Sequence, residues 1–470
     1  MKKKWAILLY GLGISGGANV IFQHAMYAVS QGIEVTIVSM NGQTHVDASW
    51  HEAAGCFDYK KFEDIVTLYF DVAIATEWRS AFDIYKVHAD KYIYFVQSIE
   101  SKFFQRNNSL LGYIAETSYD MPMEYVTEVT WIKEYLLRFY HKKAELVLNG
   151  IDKKIFTCDG KRIDERPVDH VRFLIEGSMT NWLKNVPKAI EVCKKAGADD
   201  VWLVTPDRVK KIEDFGVSRF FSKVPMKMMP EIYRSCDVLV KLSVVEGMFG
   251  PPLEMFHCGG TAITYDVEGS EEYMIDGENS FVLKKGDEKA VIGAVKRLIE
   301  DRNELNRLKE NALKTAKDWI DWNHSSECFF EAIDKSTKIN DEDYEIIQKK
   351  GKKGSDSYKQ AEALMGLEPD MNRIEKLREF CRRETKKLFL YGAGKMCRGT
   401  ILNLDQYDIS IEGILVSSID NNPNTVMGHR VYEIDKVMDK KDSIVIFVTS
   451  DIYYSEIFYM LQCKGFMDVF

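Results

Sequence analysis

The chain has 470 residues, which at roughly 150 residues per domain points to about three domains, or two large ones with an appendage. Apolar residues make up 46%, aromatic residues 12% and charged residues 29%, a mixture that excludes a fibrous or extensively disordered chain. With 63 Lys plus Arg against 72 Asp plus Glu, the net charge of −9 disfavours a protein that works on the phosphates of bulk nucleic acid, leaving room only for a local basic pocket.

The first four residues are basic and 5–10 are apolar, but the run stops after six residues at a glycine loop, too short for a secretory signal. No stretch approaches the roughly 18 apolar residues that cross a bilayer. Nine cysteines (56, 158, 193, 236, 258, 328, 381, 397 and 463) lack any C-x-x-C pair, so they read as free thiols and not as zinc ligands. A cytoplasmic location, or one at the inner face of a membrane, is expected.

In chain order, 5–10 reads as a buried parallel strand, 18–31 as a helix ended by Gly32, and 34–39 as a second strand, together a βαβ unit. Apolar runs at 72–75, 91–96 and 145–148 continue the alternation to about residue 149. The pattern restarts with strands at 171–176, 201–205, 237–242 and 261–265 and helices at 186–196 and 289–300. A short helix begins at Pro251-Pro252, where the missing amide hydrogens cost nothing. Residues 335–370 change character: 349–357 (Lys-Lys-Gly-Lys-Lys-Gly-Ser-Asp-Ser) is polar and reads as a linker that does not pack. A third α/β unit follows, with Gly392-Ala-Gly394 after a strand at 387–391 and further apolar runs at 411–416 and 443–449. The expected organisation is 1–155, 156–335, linker 336–370, and an accessory unit 371–470.

Gly11-Leu-Gly13-Ile-Ser-Gly16 fits G-x-G-x-x-G between a strand and a helix, where glycines let a phosphate approach backbone amides. A nicotinamide site would also need a carboxylate at the end of the second strand, which instead ends Ser39-Met-Asn41. Glycines that merely permit a tight turn account for the motif about as well. In the second unit, Glu246 follows a strand and Glu254 lies in the next helix, with a glycine-containing loop between them. That turn suits a ligand with a diphosphate at its middle and hydroxyl-rich groups at both ends.

These residues resemble the retaining glycosyltransferases of family 4, which have the GT-B fold of two Rossmann-like domains facing a cleft. Their Glu-x7-Glu signature matches Glu246 through Glu254, and 269–287 is similar to the family's next stretch. The resemblance covers about residues 1–335. It implies a nucleoside-diphosphate sugar as donor, no metal and no separate cofactor. Glu246 would hydrogen-bond the donor sugar, Gly247 and the amides around Phe249 and Gly250 would receive sugar and phosphate oxygens, and Glu254 would hold the ribose. Lys184 would lie on the diphosphate, and Gly16 and Gly17 would line the cleft near the phosphates. Family members carry an arginine where this chain has Ser178, and a histidine near the reacting sugar where it has Gln97, which can position a hydroxyl but cannot act as an acid or base.

The function so implied is transfer of a hexose or deoxyhexose, with retention, to a saccharide or lipid-linked acceptor in bacterial surface polysaccharide assembly. A nucleotide-sugar epimerase on the same frame and a non-catalytic nucleotide-sugar binder are the rivals. Asp341-Glu-Asp343 matches the D-x-D of metal-dependent transferases but sits in a polar stretch and reads as a solvated charge run. His24 reads as a core or cleft-wall histidine, and Trp319, Trp322, Phe329 and Phe330 as a helix crossing back to the first domain. The basic cluster 373–387 could touch an anionic membrane, although a solvated helix face is the more usual reading. For 371–470, docking to a partner or to a second copy ranks slightly above an independent enzyme activity.

Overall fold

The computed structural model describes residues 2–104, 109–179, 181–207, 216–364, 370–407, 409–420, 422–449 and 454–470. Three sheets organise them. The first contains β1 (Lys4–Leu9), β2 (Glu34–Ser39), β3 (Asp58–Lys60), β4 (Tyr69–Ala75), β5 (His88–Val96), β6 (Glu124–Thr127) and β7 (Ala144–Leu146), in the order β3-β2-β1-β4-β5-β6-β7. The second contains β8 (Arg172–Glu176), β9 (Asp200–Thr205), β10 (Arg219–Ser222), β11 (Val238–Lys241), β12 (Thr261–Tyr265) and β13 (Phe281–Leu283), in the order β10-β9-β8-β11-β12-β13. All pairings in both sheets are parallel. Continuous apolar runs such as Trp5–Leu9 are buried along their whole length because helices cover both sheet faces.

In each sheet the strand order reverses beside the first strand, between β1 and β4 and between β8 and β11, which opens a crevice at the carboxyl ends of the strands. These two Rossmann-like lobes, one per sheet, face each other across a cleft. The chain then returns to the first lobe. Helix Trp322–Lys335 lies against helix Gly16–Ser30, contributes Phe329 and Ile333 to the first lobe's core, and stacks Phe330 on Trp5 with ring centroids 5.6 Å apart. His24 is buried there, flat against Phe329 at 4.2 Å, its Nδ1 3.0 Å from Ser326 Oγ. Burial pushes its pKa down to about 3, so it is neutral.

The stretch expected to be a linker is instead a helix, Asp341–Leu364, docked on the first lobe. Its composition misleads because the lysines and glycines occupy different faces. Lys349, Lys350, Lys352 and Lys353 are exposed, whereas Gly351 and Gly354, one turn apart, let helix Trp78–Asp83 come close. A Cβ on Gly354 would stand 2.1 Å from a Phe82 ring atom. Beyond the glycines, Ser355 Oγ and the Tyr358 hydroxyl donate to the buried Asp83 carboxylate at 2.7 and 2.9 Å, and Arg79 pairs with Glu362 at 2.8 Å. Asp341 and Glu342 are exposed in the first turn, where the helix dipole favours negative charge. Gly354→Leu should therefore undock this helix at a cost of about 1–3 kcal/mol of overpacking and expose the lysine run to trypsin. Unchanged digestion of 341–364 would contradict the docking.

The third sheet holds β14 (Lys387–Tyr391), β15 (Ile411–Val416), β16 (Thr425–Val426), β17 (His429–Glu433) and β18 (Ile444–Val448), in the order β16-β17-β15-β14-β18, with only β16–β17 antiparallel. Leu402 and Met427 of this unit join the second lobe's apolar cluster. Within the basic cluster, Lys386 pairs with Asp468 and Lys387 with Glu412. Among the described residues no helix is long and apolar enough to cross a membrane.

Candidate functional site

The site is built on the carboxyl ends of β8, β11 and β12 and the facing ends of β1, β4, β5 and β6. After β11 the chain runs through Leu242–Phe249 and enters helix Gly250–His257, with prolines at its first turn. Glu246 lies on this loop and Glu254 on the helix, as expected. Lys184 arrives from the turn after β8, where Gly177 adopts φ +143° and a Cβ would meet Lys184 and Val186 atoms at 3.1 Å. The result joins residues 62 positions apart: Lys184 Nζ donates to both Glu246 oxygens, at 2.8 and 3.0 Å.

The electrostatics of this pair are mutual. Burial acts to lower the Lys184 pKa, but Glu246 outweighs it and holds the ammonium above its ordinary value. Burial acts to raise Glu246, and Lys184 followed by Lys241 outweighs that, holding the carboxylate below its usual range. Among the described residues no ammonium forms an ion pair with Glu254. Burial, then the nearby Glu176, pushes it up to about 7, with the Tyr233 hydroxyl bonded to it.

The other expected residues divide. Gly247 sits where the lobes meet: a Cβ there would stand 2.0 Å from the Gln97 carbonyl oxygen. Gln97 also faces Gly17, whose Cβ position is 3.3 Å from Gln97 Oε1, while Gly16 opens helix Gly16–Ser30 with free space around it. The Ser178 hydroxyl is committed to Asp207, at 3.0–3.1 Å. Phe249 is fully buried, and its carbonyl accepts the Tyr273 hydroxyl. The Gly250 amide donates to Met248 O at 3.1 Å, and Pro251 and Pro252 have no amide hydrogen. Fewer amides at this helix start are therefore free than the sequence of the loop implies.

Several residues at the site have no motif to announce them. Glu128, just beyond β6, accepts the Met248 amide at 3.1 Å and the Asn149 side-chain amide at 2.9 Å, tying the first lobe to the glutamate loop. Burial pushes its pKa up to about 7. Lys241, the last residue of β11, is 2% exposed and paired with Glu176. Trp131 donates its indole N–H to Gly247 O at 3.3 Å, and Lys102 pairs with Glu268 across the cleft. Buried polar atoms without a hydrogen-bond partner gather at or just beyond these strand ends: Gln97 Oε1, Ser98 Oγ, Asn149 Oδ1 and Thr264 Oγ1. Unpaired buried polar groups are costly, and this end of the two sheets concentrates that cost.

Residues 171–315 match the family model described as glycosyl transferases group 1. An uncharacterized glycosyltransferase of Methanocaldococcus jannaschii is 21% identical over 303 residues, covering 53% of this chain and 76% of the relative. Among solved structures, HepE of Anabaena in complex with UDP-glucose superposes with a TM-score of 0.58 at 12% identity, over 71% of this chain and 100% of HepE. WaaG, a glycosyltransferase of lipopolysaccharide biosynthesis, gives 0.54 at 14% identity, over 71% and 100%. The fold is GT-B. The GT-B frame accounts for the two lobes, and the third sheet is additional to it.

The GT-B cleft contains or adjoins three carboxyl groups raised chiefly by burial: Glu100 to about 8, Glu128 to about 7 and Glu254 to about 7, against 4.5 ordinarily. In this range the unfolded chain has released these protons and the fold still holds them. Buried His24, His51 and His257, held down at about 3, 4 and 4, act in the opposite sense up to their ordinary 6.5, so the fall in stability should stand clear between about pH 6.5 and 8 and level off above, by up to about 1.4 kcal/mol per pH unit for each carboxyl involved. Melting temperature against pH tests this, and Glu128→Gln should flatten the fall; a melting temperature that rises through this window would refute the assignment.

Proposed function

We propose that this chain is a glycosyltransferase that moves a hexose or deoxyhexose from a nucleoside-diphosphate sugar to a saccharide or lipid-linked acceptor, with retention, in bacterial surface polysaccharide assembly. The observation that carries the reading is the Lys184–Glu246 pair, with Glu254 one helical stretch further on, at the switch point of the second sheet and opposite Gln97 and Glu128. The relatives support it: HepE holds UDP-glucose, and WaaG acts in lipopolysaccharide biosynthesis.

In this reading the second lobe holds the donor. Glu246 faces the sugar, Lys184 the diphosphate, and Glu254 the ribose hydroxyls. As the bond from sugar C1 to the phosphate oxygen breaks, negative charge grows on the leaving diphosphate, and the fixed ammonium of Lys184 stabilises it. The acceptor hydroxyl bonds to C1 on the same face and passes its proton to the departing phosphate oxygen, so no protein nucleophile and no metal are needed. The lobes closing at Gly247 and Gln97 exclude water. The protein would act on the cytoplasmic side, peripherally where the acceptor is lipid-linked, with 371–470 serving a partner or a second copy.

Purified protein incubated with UDP-, GDP- and ADP-sugars and a lipid-linked glycan extract should release nucleoside diphosphate only when acceptor is present, and NMR of the product should show the donor's anomeric configuration kept. Conversion of the donor sugar without acceptor would identify an epimerase, and binding without release under every acceptor would identify a binder.

A further inference from the structure

A parallel sheet covered on both faces is normally apolar along its strands, and β11 reads Val-Leu-Val up to Lys241. Lys241 is 2% exposed. It lies one residue beyond the Val240–Ile175 pair, beside Glu176 on β8, and it pairs in register with Thr264 on β12. Its ammonium contacts the Glu176 carboxylate and also donates to the Glu176 carbonyl at 3.2 Å. Thr264 is fully buried with its hydroxyl unpartnered. A polar row of Glu176, Lys241 and Thr264 across three strands of a covered sheet costs desolvation that apolar side chains would avoid. Folding does not explain it, but its position does: the row ends at the crevice that holds Lys184, Glu246 and Glu254.

Charge shows what the row does. Glu176, Glu246 and Glu254 provide three carboxyl groups against the ammonium groups of Lys184 and Lys241. Lys241 acts on both Glu246 and Glu254, and Glu176 acts on Lys184 as well as on Glu254. If Lys241 were absent, Lys184 would face three carboxyl groups alone, and the unneutralised Glu176 would compete with any incoming phosphate for it. We propose that Lys241 is a positioning residue for the diphosphate of the donor: by neutralising Glu176 it keeps that carboxylate from competing with phosphate for Lys184 and sets the charge balance that admits a dianionic ligand. The inference rests on the donor site described under the proposed function and adds a second cation to it.

The test is calorimetric binding of UDP, GDP and ADP to the full chain, followed by comparison of the tightest of these with its uncharged nucleoside. Lys241→Met should weaken the nucleoside diphosphate by roughly tenfold to a hundredfold and leave the nucleoside unchanged. The pair Lys241→Met with Glu176→Gln, which removes both charges, should bring diphosphate binding back to within about threefold of wild type. A purely structural lysine would lose nucleoside and diphosphate together, with no rescue by Glu176→Gln. Should Lys241→Met fold poorly, the double variant and Lys241→Arg, which keeps the charge, carry the comparison. Equal diphosphate affinity in wild type and Lys241→Met, or a folded double variant as weak as the single, would overturn the proposal while leaving the donor site intact. A wild type that binds none of the three diphosphates would instead overturn the donor site and the proposal together.

Discussion

Glu246→Ala is expected to lower sugar transfer by about a hundredfold to a thousandfold, the range seen when a preorganised polar contact to a transition state is removed. The same change should leave nucleoside-diphosphate binding intact or tighter. Glu246 spends both its oxygens on Lys184, at 2.8 and 3.0 Å, so its removal frees the ammonium for phosphate. Lys184→Ala should lose both transfer and diphosphate binding. This split separates a sugar-facing carboxylate from a merely structural ion pair, for which the two substitutions would do the same harm. Steady-state transfer together with calorimetric binding of UDP reads it, and unchanged turnover in either variant would remove the pair from the site.

Gly247→Ala should be as damaging for a steric reason. Its Cβ would lie 2.0 Å from the Gln97 carbonyl oxygen and 3.2 Å from the Gln97 carbonyl carbon, both backbone atoms that cannot swing aside, and 3.1 Å from Glu128 Oε1. The lobes would then stop short of the closed arrangement by a distance on the order of an ångström, a misplacement that can cost about a hundredfold in rate. Because the clash lies between the lobes and not within one, diphosphate binding to the second lobe and the melting temperature should change little. Gly293→Ala, on helix Glu288–Glu300 where an added Cβ meets nothing within 4 Å, is the control and should leave transfer unchanged. A crystal structure of the Gly247 variant with bound nucleotide should show the lobes further apart at Gln97 than in wild type; the same separation with full activity would refute closure at this contact.

Much of the frame was legible because covered parallel strands leave continuous apolar runs, as at Trp5–Leu9 and Phe173–Ile175, and glycines punctuate their ends. The helix at 341–364 was not legible, since its packing depends on Gly351 and Gly354 fitting against Phe82 and Tyr85, a complementarity that composition hides. The same holds at the site. The Glu246–Glu254 spacing marks the loop, but the ion pair between Lys184 and Glu246 closes only when β8 and β11 lie side by side. Glu128 looks like any polar residue after a strand, and Lys241 like the solvated end of one. Their roles come from what the other lobe and the neighbouring strand bring against them, Met248 in one case and Glu176 in the other.

The most direct measurement is a crystal structure of the protein grown with UDP-glucose. The diphosphate should lie within hydrogen-bond reach of Lys184 Nζ, with that ammonium drawn off Glu246, the ribose beside Glu254, and the sugar between Glu246 and Gln97. A nucleotide seated at the Gly392–Gly394 turn of the third unit, with the Lys184–Glu246 pair undisturbed and the cleft empty, would contradict the account.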